Sequence, residues 1–160
     1  MGGGFYDLLS LQTGGISAIQ GQCMKHLSQE IKIVKVKAAS AAGQTDIESD
    51  IVDTQDYEGV MFFVTAGTID SSGEQSLKIE HGDESDLSDA ADVAGSSVAI
   101  ADDDDGQVFV TDYYDVDKRY CRATITRATA DSAFGEIYAL LYGAKIKPVS
   151  NNVTDVITTN

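Results

Sequence analysis

The chain reads as an all-β protein, an antiparallel β-sandwich or jelly roll with an extended N-terminal arm, and three observations lead there. The most apolar run, Val60-Met61-Phe62-Phe63-Val64-Thr65-Ala66-Gly67, is β-branched and aromatic and is bounded by glycines, which suits a strand. Segments with period-two alternation recur on both sides of it, separated by turn residues. No stretch carries a convincing amphipathic helical period, so about eight strands must cover one another in two layers.

Taken in order, residues 1–30 hold glycines at 2, 3, 4, 14, 15 and 21 among scattered apolar side chains, without a sustained period. A segment this apolar is a poor solvated linker, so it is expected to order against a neighbour or against its own domain. The sandwich is assigned to residues 31–149 and a polar tail to 150–160. Ile31 to Ala38 alternates with a change of phase between Ile33 and Val34, where a β-bulge would keep the apolar residues on one face. Asp46 to Val52 reads as a short strand or edge segment whose charges discourage unwanted pairing, and Asp53 to Gly59 as the turn that follows.

In the central strand Val60, Phe62, Val64 and Ala66 fall on one side of the pleat and Met61, Phe63 and Thr65 on the other. Neither set is polar, so both faces are expected to be covered. Beyond the turn at Asp70–Glu74, Leu77 and Ile79 face inward in Leu77–His81; Val98–Ala101 forms a short strand, and Val108 and Val110 share a face in the next. Arg119 to Arg127 places Cys121, Ala123 and Ile125 inward and Arg122, Thr124 and Thr126 outward. Cys121 is therefore expected as a packed thiol. Glu136 to Gly143 has a composition compatible with a helix, but Gly135 and Gly143 bound a segment short enough to favour a strand.

At 160 residues the chain suits a single domain. Its formal net charge of −15 argues against general binding to nucleic acid or to an anionic membrane. That charge is concentrated: residues 46–117 hold 21 Asp or Glu against Lys78 alone, whereas the flanking segments are mildly basic. The fold is thus expected to present an acidic surface and a more nearly neutral one, either merely solvated or oriented on a partner. Cys23 and Cys121 lack a CxxC spacing and are expected as free thiols in a reducing compartment. No basic region followed by an apolar one opens the chain, and no run of 18 apolar residues occurs, so a cleaved secretion signal and a membrane span are both disfavoured.

Residue chemistry alone assigns no activity. Asp102 to Gly106 offers aspartates at the first and third positions of a calcium loop but Gly at the fifth, and Asp83 to Asp92 follows no ligand register. His81, with its acidic neighbours and Ser85, invites comparison with a hydrolytic triad, yet neither GxSxG nor HExxH is present. No catalytic residue, metal ligand or cofactor is expected.

The order of Asp53-Thr-Gln-Asp-Tyr57-Glu-Gly-Val60-Met-Phe-Phe-Val, Leu77-Lys-Ile-Glu-His-Gly-Asp-Glu-Ser, Lys118-Arg119-Tyr120-Cys-Arg122-Ala-Thr-Ile-Thr and Ala139-Leu-Leu-Tyr-Gly-Ala144 running to Pro148 resembles that of the capsid decoration, or cement, proteins of tailed bacteriophages. The resemblance spans about two thirds of the chain and leaves out the glycine-rich arm. It implies a β-sandwich bound to the exterior of an icosahedral shell, assembled in bacterial cytoplasm, with the major capsid protein and further copies of itself, as a trimer, for partners. On that reading the arm residues Phe5, Tyr6, Leu8, Leu9 and Leu11 add apolar contacts to a neighbouring subunit. Lys32, Lys35, Lys37, Arg119, Arg122 and Arg127 are then candidates for the less acidic, partner-facing surface. A carbohydrate- or receptor-binding sandwich using Tyr113 and Tyr114 as a platform is the second reading, and a head-to-tail joining protein a third.

Overall fold

The computed structural model describes residues 27–70, 74–128 and 130–151. The arm from Met1 to His26, including Phe5, Tyr6, Leu8, Leu9 and Leu11, lies outside them, as do Cys23 and residues 152–160. Among the described residues, a 3-10 turn at Leu27–Gln29 precedes twelve strands. They are β1 (Lys32–Lys37), β2 (Ser40–Gly43), β3 (Ile47–Glu48), β4 (Val52–Asp53), β5 (Gly59–Ile69), β6 (Glu74–Gly82), β7 (Ala91–Asp92), β8 (Val98–Ile100), β9 (Val108–Tyr114), β10 (Tyr120–Ala128), β11 (Ser132–Phe134) and β12 (Ile137–Tyr142).

Two antiparallel sheets of six strands face one another, the sandwich that the alternation predicts. The first is organised around β5. Strands β12 and β11 run along one of its edges, joined through Gly135, whose N–H donates to the Thr65 carbonyl at 2.8 Å, and β9 runs along the other. Outside them lie β1, against β12, and β2, against β11. The second sheet is built on the nine-residue pairing of β10 with β6; β3 and β4 lie beyond β10, and β7 and β8 beyond β6.

Period-two burial between these layers makes one core. Val60, Phe62, Val64 and Ala66 of β5, with Ala139 and Leu141 of β12, meet Leu77 and Ile79 of β6 and Cys121, Ala123 and Ile125 of β10, all at most 1% exposed. Each large apolar side chain so buried is worth about 1.5–3 kcal/mol of transfer free energy. Burial also raises the Cys121 thiol pKa to about 12, as fits a packing residue.

Several expectations are corrected. The Ile31–Ala38 bulge falls between Lys35 and Lys37 rather than at Ile33, so Val34 and Val36 turn inward while Ile33 stays 42% exposed. The second face of β5 is not fully covered by described residues: Met61 and Phe63 are half-buried and Thr65 is exposed. Val108 and Val110 do share a face, and it is the outer one. Thr124 points away from the core as read, yet is only 4% exposed.

An apolar sheet face as the candidate site

Cross-strand register places the outer side chains of the first sheet in rows, because residues opposite one another in an antiparallel pair share a face. One row is Lys35, Tyr138, Phe63 and Val110; the next is Ile33, Leu140, Met61 and Asp112. A third sets Tyr142 and Tyr114 on either side of Gly59, and Val108 follows beside Thr65. Phe63 and Tyr138 stack with centroids 5.4 Å apart, and the Tyr114 and Tyr142 rings are parallel within 4° at 6.4 Å. The patch spans four strands by four side-chain rows, three spacings each way, or roughly 14 Å by 20 Å. Within it Val108 is 63% and Tyr114 66% exposed.

Charge is confined to the margins. Lys35 pairs with Glu136 at 3.0 Å, and the Tyr138 hydroxyl donates to the same carboxylate. These two donors, Tyr138 first, hold the Glu136 carboxyl below its usual range. At the other side the Tyr142 hydroxyl donates to Asp112 at 2.7 Å. Burial, with that bond, pushes the Tyr142 pKa up.

The outer face of the second sheet has the opposite character. Arg122 donates to Glu80 and to Glu48, each at 2.7 Å, and Lys78 reaches Glu80 at 3.1 Å and Asp92 at 2.7 Å, so one chain of ion pairs crosses β3, β10, β6 and β7. Burial by itself would raise the Glu80 carboxyl; the bonds from Arg122 and Lys78 outweigh it and hold the pKa down.

The basic residues singled out from the sequence are dispersed. Arg119 makes a two-point pair with Asp53, at 2.8 and 3.1 Å. Arg122 sits in the ion-pair chain. Arg127 donates to the carbonyls of Ala41 and Ser132 at 3.1 and 2.8 Å and to that of Thr45, fastening β2, β11 and the turn after β2 to β10. On β1, Lys35 stands in an outer row at the margin of the apolar face, whereas Lys32 and Lys37 lie opposite the inward Leu141 and Ile137, and Lys32 borders a cleft with Asp53, Gln55 and Tyr57.

Tyr113 and Tyr114 do not form one platform. Successive strand residues face opposite ways, so Tyr114 joins the outer face while Tyr113 turns in. There its hydroxyl meets His81 Nδ1 at 3.0 Å and donates to Asp117. His81 is thereby engaged across β6 and β9, with no bond to Ser85. The acidic loops turn carboxylates onto backbone: Asp89 accepts from the N–H groups of Asp83 and Glu84 and Asp104 from that of Ala101, within their own loops, and Asp105 from that of Ile69 at the end of β5. Among the described residues no group of three or more His, Cys, Asp or Glu is placed to hold a metal ion.

The sequence signal for the apolar face was the Met61, Phe63 and Thr65 side of the central strand. Its extent was hidden, because Ile33, Leu140, Val110 and Tyr114 join it only through cross-strand register.

Fold and site together define an antiparallel β-sandwich with one apolar outer face and one ion-paired outer face. No protein-family model matches the chain, and no curated protein matches it at a significant level. Among solved structures, the crystal structure of PBSX exported protein XepA superposes with a TM-score of 0.50 at 21% sequence identity. The match covers 84% of this chain and 44% of that one, so the chain spans less than half the length of that structure. At this identity the likeness is one of fold.

Proposed function

We propose that this is a structural protein of a tailed-phage particle, a capsid decoration protein that attaches to the exterior of the shell and braces capsomer contacts, with the major capsid protein and its own copies as partners. The observation that carries the reading is the division between the two outer faces. An apolar outer face backed by a buried core suits attachment to protein, and an ion-paired face turned to solvent, on a chain of net charge −15, suits many crowded copies that must stay soluble. The fold shared with PBSX exported protein XepA supports the β-sandwich on which the reading is built.

The test is addition of the purified full chain to heads that lack it, followed by cryo-microscopy. Ordered density on the shell exterior, with the β1, β12, β5 and β9 face buried in a contact, supports the reading. Heads left bare at saturating protein overturn it.

A second reading, a saccharide-binding sandwich on a virion or tail, draws on the parallel rings of Tyr114 and Tyr142 beside the Asp112 carboxylate. Aromatic faces stack on sugar C–H groups, and carboxylates accept sugar hydroxyls. Glycan binding that disappears in Tyr114→Ala, with shell addition unaffected, favours it.

A further inference from the structure

The outermost strands of a sandwich present unpaired backbone groups that invite a further strand, and natural sheets blunt such edges with lysines, bulges, short strands or cover. Most of the edges described here are blunted. β1 carries Lys32, Lys35 and Lys37 and is bulged between Lys35 and Lys37. Its Ile33 N–H donates to the Asn151 side chain and its Val36 carbonyl accepts from the Asp50 N–H, each at 2.8 Å. β2 has four residues, and Arg127 holds its Ala41 carbonyl. β3, β4 and β7 have two residues each, and β8 has three.

β9 has none of these protections. Its seven residues, Val108–Tyr114, include no Lys, Gly or Pro, and their register with β5 is unbroken. At its two ends the Ala66 N–H donates to the Gln107 carbonyl at 2.8 Å and the Asp115 N–H to the Glu58 carbonyl at 2.9 Å. Successive residues of an antiparallel ladder turn their backbone groups to opposite sides. Phe109, Thr111 and Tyr113 therefore face β5, while Val108, Val110, Asp112 and Tyr114 direct their N–H and C=O groups away from it. Among the described residues no strand pairs with that side. These four residues are exposed, and Phe109 and Tyr113, although they point into the sandwich, are only half-buried at its open margin.

Charge selects the occupant. Residues 102–117 hold seven Asp and no Lys, Arg or His, so the edge runs from the aspartates 102–105 to Asp115 and Asp117. A second copy's β9, laid along it in either direction, would set acidic ends against acidic ends. An extended segment with cations at both ends satisfies the hydrogen-bonding groups and the field together.

We infer that the outer edge of β9 takes up an extended segment of a partner protein by β-strand addition, a segment that alternates β-branched residues and carries Lys or Arg at its ends. The inference rests on the reading of the protein as one that attaches to a shell, and adds the contact. The segment belongs to the shell subunit; paired with β9 it lengthens the first sheet and covers Phe109 and Tyr113.

The experiment uses the isotope-labelled full chain and a synthetic peptide in which Val and Thr alternate between paired lysines. Amide hydrogen exchange is followed by NMR, with light scattering to give the mass in solution. In the free chain the amides of Val108, Val110, Asp112 and Tyr114 are expected to exchange quickly and those of Phe109, Thr111 and Tyr113 slowly. The lysine peptide should slow the first four by at least about tenfold, and a peptide with glutamates in place of the lysines should not. Val110→Pro removes an N–H that β5 does not use, so it leaves the β5 ladder in place and blocks the added strand. Binding of the peptide and addition to heads should both fall about tenfold or more in this variant. Should it not fold, the two peptides compared on the wild type carry the test. No protection by the lysine peptide overturns the inference, as does equal protection by the glutamate peptide. Protection already present in the free monomer overturns it too, as does protection that appears only with a dimeric mass. Shell addition is scored separately. Heads decorated equally by wild type and Val110→Pro end this inference alone, and bare heads with an edge that the lysine peptide protects end the functional reading alone.

Discussion

The ring of Tyr142 lies over Gly59, so close that a Cβ on Gly59 would sit 2.2 Å from the Tyr142 Cζ. The two are paired across β12 and β5, and the glycine leaves the space in which the ring lies flat, parallel to Tyr114. A side chain at position 59 must expel that ring, and with it the hydrogen bond to Asp112. Gly59→Ala is therefore expected to destabilise the domain by about 1–3 kcal/mol, measured by urea unfolding followed by circular dichroism. In a Tyr142→Ala background the same substitution should cost much less. Equal cost in both backgrounds would place the strain in the backbone instead.

That relationship also marks where sequence reading stopped. The core half of each long strand was legible, because alternation alone sets Val60, Phe62 and Val64 against Met61 and Phe63. The inward Leu77, Ile79, Cys121, Ala123 and Ile125 followed from the same rule. The short strands β2, β7 and β11 were not legible, since they are held by pairing with distant segments rather than by their own composition. The outer face was half legible: Tyr113 and Tyr114 are adjacent in sequence but on opposite faces, while Tyr114 and Tyr142 are distant in sequence and parallel in space. The arginines show the same limit, as Arg119 and Arg122 find their carboxylates only across the sheet.

The ion-pair chain of the second sheet gives a ranking. Arg122 and Glu80 have side chains 20% and 13% exposed, whereas those of Arg119 and Asp53 are 46% and 45% exposed. Removing Arg122 leaves Glu80, among neighbours that desolvate it, with Lys78 as its remaining cation, so Arg122→Ala is expected to cost about 1.5–3 kcal/mol. Arg119→Ala breaks a pair screened by water and should cost less than Arg122→Ala. Adding Glu80→Gln to Arg122→Ala should recover part of the loss. Thermal melts of the variants, with Lys37→Ala as a neutral control, check the order; Arg119 as the costlier deletion would contradict it.

Acid should reach the two pairs in a defined sense. The Asp53 carboxyl is held below its ordinary value by the hydrogen bond from Arg119, and Glu80 by Arg122 and Lys78 acting against burial. A depressed folded-state pKa contributes stability that is complete above the unfolded value, about 4, and is lost as pH falls through the folded value. Melting temperature is thus expected to fall below about pH 4, and the fall should be shallower in Arg119→Gln and Arg122→Gln, which have less to lose. Identical slopes in all three proteins would mean that other carboxylates govern acid unfolding.

Gln75 faces the core from β6, 4% exposed, and neither its amide nitrogen nor its oxygen has a partner among the described residues. Ile100 of β8 and Arg127 of β10 lie beside it in register. A carboxamide removed from water without replacement bonds is unfavourable, whereas a thioether of nearly the same length and volume is not. Gln75→Met is expected to raise stability by about 1–2 kcal/mol, read as a higher urea midpoint at unchanged slope. Gln75→Leu, shorter and branched, should gain less because it leaves space where the amide stood. A loss of stability in Gln75→Met would mean that the carboxamide is satisfied in solution by a bound water, and an ordered water bridging it to a backbone carbonyl would be the structure to look for.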